Sequence, residues 1–152
     1  MPPPSMSTDL RCEFTERPSS DDLDAVDAGL HLHNIGAVDL DAVQTLACLA
    51  RDAVGKVVGG LRARQWGHAV EVQQLWVEQS LRRQGVARRL MQMLEDEVRR
   101  RGATLIYLDT FSFQARGFYE RCGFSVALRL DGMPDGIVKY VMAKRLDSEG
   151  QA

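Results

Sequence analysis

A chain of 152 residues, 45% hydrophobic and 26% charged, carries enough apolar material for one domain with a sizeable core. Its formal net charge of −2 excludes wholesale electrostatic attraction to nucleic acid, and no apolar run approaches membrane-spanning length. Cys12, Cys48 and Cys122 are odd in number and lack a C-x-x-C pair, so they read as small buried hydrophobes, not as a disulfide framework or a zinc site. The Met1-Pro2-Pro3-Pro4 start lacks the basic and apolar regions of a signal peptide, and the expected location is the cytoplasm.

Residues 1–8, rich in Pro and Ser, read as a disordered tail, 9–147 as a single domain and 148–152 as a second short tail. Leu10-Cys12-Phe14 alternates with polar residues and predicts a first strand. Pro18-Ser19-Ser20-Asp21-Asp22 predicts a helix start, with Ser20 as cap and acids in the first turn, and the helix runs to about His33. Gly36 to Leu40 reads as a loop or the start of a second short helix. Gln44–Arg51 and Val57–Arg64 are apolar β-type runs that predict a hairpin, and Ala69–Val77 follows the Trp66-Gly67-His68 turn as a third antiparallel strand.

From Gln84 to Arg101 the residues Ala87, Leu90, Met91, Leu94 and Val98 recur with the period of a core-facing helix. Glu95/Arg99, Asp96/Arg100 and Glu97/Arg101 are i,i+4 pairs for its wet side, and Gly102 ends it. Ala103–Thr110 is a buried-type strand, and a helical crossover between two strands predicts parallel pairing beside the antiparallel part. A short helix, Phe113–Cys122, then precedes a closing hairpin of Phe124–Leu130 and Ile137–Leu146. The order β-α-β-β-β-α-β-α-β-β predicts an α/β (α+β) fold with a mixed central sheet of about six or seven strands flanked by helices.

Charge is unevenly placed. No Lys or Arg lies between Pro18 and Ala50, whereas Asp21, Asp22, Asp24, Asp27, Asp39 and Asp41 all do; basic residues are frequent from Arg51 to Arg101. The arginines of 82–101 alternate with Glu95, Asp96 and Glu97, which argues against a nucleic-acid surface.

The densest chemical signal is Leu75-Trp76-Val77 followed by Arg82-x-x-Gly85-x-Ala87, a strand entering a helix through a basic, glycine-containing turn. Such a turn aims several backbone N–H groups at one spot, at the positive end of a helix dipole, where a phosphate can bind. A second segment reads Gln114-Ala115-Arg116-Gly117-Phe118-Tyr119-Glu120-Arg121-Cys122-Gly123-Phe124. Together, in this order, the two resemble the motifs of the GNAT family of acyl-CoA-dependent N-acetyltransferases, over roughly Gln44 to Leu146.

The resemblance implies acetyl-CoA as donor, with Leu75, Trp76 and Val77 meeting its pantetheine arm where two strands splay apart. It implies a pyrophosphate loop of Arg82, Arg83, Gln84, Gly85, Val86, Ala87 and Arg88, with Gln114 and Phe118 as further cofactor contacts. Tyr119 is the implied general acid for the departing sulfur. Glu71, six positions before Val77, is the implied base, directly or through a water, with water alone as the alternative and Gln73 and Gln74 able to orient it. Transfer to an amine needs a deprotonated nitrogen, a stabilised oxyanion and a protonated leaving group, and the Leu75 N–H is the implied oxyanion donor. No metal is expected: His31 and His33 are spaced i,i+2 with no supporting carboxylate pattern.

The expected reaction is therefore acetyl transfer to a primary amine of a small molecule, with the acidic segment 21–41 favouring a cationic acceptor or merely solvating a surface. A protein or peptide acceptor and a non-catalytic CoA-binding regulatory module stay open as alternatives. A homodimer is a further expectation from the resemblance. Trp66, Phe111 and Phe113 line the acceptor mouth on one reading and belong to the core on the other.

Overall fold

The computed structural model describes Met1 and residues 10–146; the predicted tails fall largely outside the described residues. The chain forms two compact units, Met1–Leu40 and Asp41–Ala152.

In the first unit, α1 spans Ser20–Ala37. Its cap is Ser19, one residue earlier than the sequence suggests: the Ser19 hydroxyl oxygen accepts from the Asp22 N–H at 3.1 Å, and Asp21 and Asp22 sit in the positive first turn. The helix also runs past His33, through Gly36, because a single glycine without a following proline costs only about 1 kcal/mol. It ends where Val38 turns extended, and Leu40–Ala42 forms one 3₁₀ turn. The strand predicted at Leu10–Phe14 is not formed. Alternation makes a strand possible, but only pairing makes one stable, and that segment has no partner strand among the described residues.

The second unit is built on a six-stranded sheet: β1 (Gln44–Arg51), β2 (Val57–Trp66), β3 (Ala69–Val77), β4 (Leu105–Phe111), β5 (Ser125–Leu130) and β6 (Lys139–Arg145). Their spatial order is β1-β2-β3-β4-β6-β5. All neighbours are antiparallel except β3 and β4, which are parallel and joined by α2 (Val86–Arg100). A short helix, α3 (Arg116–Arg121), links β4 to β5. The mixed sheet matches the sequence expectation.

Helix α2 lays Leu90, Met91, Leu94 and Val98 on Val70, Val72, Ile106, Leu108 and Met142, all nearly fully buried. Burying one such side chain is worth about 1.5–3 kcal/mol, so this face anchors the unit. At its far end Gly102 takes a positive φ of 82° and closes the helix. There Glu95 is buried and accepts from Arg99 at 3.0 Å and from Lys144 at 2.9 Å, while Lys144 also donates to the Cys122 carbonyl. No helix among the described residues is long and apolar enough to cross a membrane.

Two local irregularities prepare the next feature. Between β2 and β3 the register slips at Arg62/Ala63, so that Arg62 faces Gln74 but Ala63 faces Val72, and Gln73 is the extra residue of a bulge. Parallel pairing of β3 with β4 covers only Ala69↔Leu105 to Val72↔Leu108. Beyond Val72 the two strands part.

Candidate active site

Past the last parallel pair, strand geometry still directs alternate N–H and C=O groups of Gln73–Val77 away from β2, now toward no strand. The opening between Gln73–Leu75 and Asp109–Thr110 is a cavity of about 260 Å³, closed on one side by Gln114, Ala115 and Tyr119. Backbone polar groups at a break in a sheet favour an extended, amide-bearing ligand.

Tyr119 reaches this cleft from α3. Its ring is buried between Phe118 and Phe124, with edge-on centroid distances of 5.1 and 6.0 Å. Burial, with a smaller contribution from neighbouring Cys122, pushes its phenol above the ordinary tyrosine range. The group therefore keeps its proton at neutral pH, the state a general acid needs. Gln114 is fixed by its own carbonyl, which accepts from the Phe111 N–H at 2.9 Å and the Thr110 hydroxyl at 3.4 Å. Its amide NH₂ is thereby turned into a donor for whatever enters.

A second cavity, of about 360 Å³, lies at the start of α2 and is lined by Val77, Arg82, Arg83, Gly85, Val86, Ala87 and Arg88 on one side and Phe118 and Arg121 on the other. The turn begins as a 3₁₀ segment, Gln79–Leu81, and the Arg82 side chain ties it to the strand by donating to the Val77 carbonyl at 3.0 Å. Arg83 and Gly85 both take positive φ, 63° and 82°. Gly85 is the N-cap of α2, and no side chain caps the first amides of the helix. A Cβ at Gly85 would meet nothing within 4 Å, so the space above these amides is open. No acid lies in the first turn, and Arg83, Arg88 and Arg89 have no acidic partner among the described residues. Free amides, a helix dipole and unpaired guanidinium groups around one cavity fit a pyrophosphate.

The predicted residues thus divide. Val77, Arg82, Arg83, Gly85, Val86, Ala87, Arg88 and Phe118 surround the basic cavity; Leu75, Gln114 and Tyr119 surround the cleft. Gln84 is turned back, donating to the Ser80 carbonyl at 3.2 Å, and Trp76 lies in a separate apolar groove with Leu49 and Gly60. Glu71 does not line the cleft either. It stands in the last stretch of parallel pairing, 3.4 Å from Arg64 on one neighbouring strand and in register with Tyr107 on the other. Burial first, and the neighbouring Glu71 carboxylate second, raise the Tyr107 phenol. Two cleft residues, Asp109 and Thr110, are absent from the sequence prediction; the signal for them is a polar pair closing the apolar run Leu105–Leu108.

Among known proteins, the Acetyltransferase (GNAT) family model matches residues 5–124. The chain is 34% identical over 111 residues to a blasticidin-S acetyltransferase of Streptomyces morookaense, covering 70% of this chain and 77% of that protein. Its fold is similar to the crystal structure of an acetyltransferase from Bacillus cereus, with a TM-score of 0.72 at 23% identity over 88% of this chain and 98% of that one. It is also similar to an aminoglycoside 6'-N-acetyltransferase solved with coenzyme A, with a TM-score of 0.59 at 23% identity, covering 86% and 94% of the two chains. The chain belongs to the GNAT family of acetyltransferases and is an acyl-CoA-dependent N-acetyltransferase whose donor is acetyl-CoA.

Proposed function

We propose that this enzyme acetylates a primary amine of a small, cationic molecule, and that the basic cavity and the strand cleft divide the work between them. The observation that carries the proposal is the pairing of an uncapped, acid-free helix start with a sheet opening whose wall holds a buried, protonated tyrosine. The 34% identity to an enzyme named for acetylating blasticidin S supports a small-molecule acceptor.

On this reading the amides of Val86 and Ala87, with Arg83 and Arg88, hold the pyrophosphate, and Gly85 lets the backbone approach it. Unpaired backbone groups near Leu75 and the Gln114 amide hold the pantetheine arm and orient the thioester. Acetyl-CoA supplies the activated acetyl group. The Leu75 N–H stabilises negative charge on the carbonyl oxygen. Tyr119 gives its proton to the departing sulfur. An amine of ordinary basicity is protonated at neutral pH, and Glu71 takes that proton through a water, since its carboxylate lies outside the cleft.

The test is release of free thiol from acetyl-CoA over a panel of small amines and lysine peptides. Release with small cationic amines and none with peptides is expected. Release confined to peptides would replace the acceptor class, and acetyl-CoA binding without any release would point to a regulatory module.

A further inference from the structure

We infer that the mouth of the cleft holds a second cationic group of the acceptor, seated between Asp109 and the Phe111 ring, so that the enzyme prefers diamines and polyamine-like molecules over monoamines. The inference rests on the acetyl-transfer reading and names the acceptor class for that site. Its starting point is an ammonium that the protein itself supplies. Lys139 Nζ lies 3.4 Å from the Asp109 carboxylate and 5.8 Å from the centre of the Phe111 ring. Phe111 is in turn stacked on Phe113, at 5.5 Å and 9° between planes, and Phe113 is two-thirds exposed. A carboxylate beside an aromatic face is the chemistry that recognises a primary ammonium, by Coulomb attraction and by the ring quadrupole.

The placement makes the pair more than a surface ion pair. Asp109 lines the same cleft as Leu75 and Tyr119 and is the one acidic residue lining it among the described residues. It sits on β4 one residue past Leu108, where pairing to β3 ends, so its carboxylate stands at the break in the sheet. The Asp109 side chain is about half exposed, so an incoming cation can reach it and displace the lysine. The cation it holds cannot be the one that reacts. A carboxylate favours the charged form of an amine, whereas attack on a thioester needs the neutral form. The reacting nitrogen is therefore a second amine of the same molecule, carried further into the cleft toward Leu75 and Tyr119.

The test compares 1,4-diaminobutane with butylamine on the wild-type enzyme, Asp109→Asn and Lys139→Met. Calorimetric binding of the diamine to the protein without acetyl-CoA is measured alongside turnover. The wild type is expected to favour the diamine in kcat/KM. Asp109→Asn raises KM for the diamine about 5–10-fold, the scale of a lost ion pair with its cation–π partner, and shifts butylamine far less. Lys139→Met moves the diamine the other way, tightening it about two- to threefold, because the internal competitor is gone. Opposite signs from two partners of one ion pair are not what loss of stability produces. Equal use of both amines by the wild type, or matching losses in the two variants, would overturn the inference while leaving acetyl transfer intact. Diamine binding that responds to both substitutions without any thiol release would instead leave the anchor standing and sink the acetyl-transfer reading.

Discussion

The two ends of α2 carry the same residue type to opposite purposes. At the C-terminal end Arg99 meets Glu95, and Arg100 and Arg101 both meet Glu97; Lys144 closes on Glu95 from β6. Beneath that end β3 and β4 are hydrogen-bonded. At the N-terminal end Arg83, Arg88 and Arg89 have no acidic partner among the described residues, the helix amides have no side-chain cap, and β3 and β4 have parted. Where the chain satisfies its own charges and backbone groups it makes structure. Where it leaves them unmatched around a cavity, the arrangement fits the proposed anionic ligand.

That contrast can be broken from either end. The largest effect belongs to the open end: Tyr119→Phe is expected to lower kcat about 10²–10⁴-fold, the usual worth of a general acid, with acetyl-CoA affinity within about threefold of wild type. Because burial raises this phenol, the wild-type kcat should not fall through Tyr119 ionisation below about pH 10. A decline centred near neutrality that Tyr119→Phe abolishes would contradict the assignment. At the closed end, Glu95→Ala removes the buried carboxylate that Lys144 and Arg99 both meet and is expected to cost about 3 kcal/mol in urea unfolding, with no change in acetyl-CoA affinity of the folded protein.

Gly85→Val joins a positive φ to a side chain in the open space above the helix amides, and calorimetry should record acetyl-CoA binding weakened on the order of 100-fold. If Glu71 is the proposed base acting through a water, Glu71→Gln should reduce kcat about tenfold at unchanged acceptor KM; an unchanged kcat would leave deprotonation to water alone. The smallest effect is expected from Arg88→Ala, a loss of about three- to fivefold in acetyl-CoA affinity that shrinks at high salt. If Arg99→Ala weakened acetyl-CoA as much as Arg88→Ala, the division between the two ends would not hold.

How far the sequence foretells this arrangement depends on the range of the forces involved. The α2 face is legible because its apolar period is local, and β2, β3 and the closing hairpin are legible because their runs are long and bounded by turns. Leu10–Phe14 misleads because three alternating residues say nothing about whether a partner strand exists. The glycine turn into α2 can be read from Arg82, Gly85 and Ala87 alone. The splay cannot, since it depends on a bulge at Gln73 and on parallel pairing that stops at Val72, which are relations between strands. Glu71 shows the same limit: the family resemblance implies a base there, but only the register across β2, β3 and β4 brings Arg64 to its carboxylate and sets Tyr107 opposite it. Asp109 and Lys139, thirty residues apart, meet only because β4 and β6 pair.

The most direct test of the central claim is continuous detection of free thiol when the purified protein is mixed with acetyl-CoA and a small cationic amine. Thiol release that requires both substrates, and that Gly85→Val and Tyr119→Phe each suppress, is the predicted result. Release that survives both substitutions, or no release with any amine, would contradict the account of the open end as the place where acetyl transfer occurs.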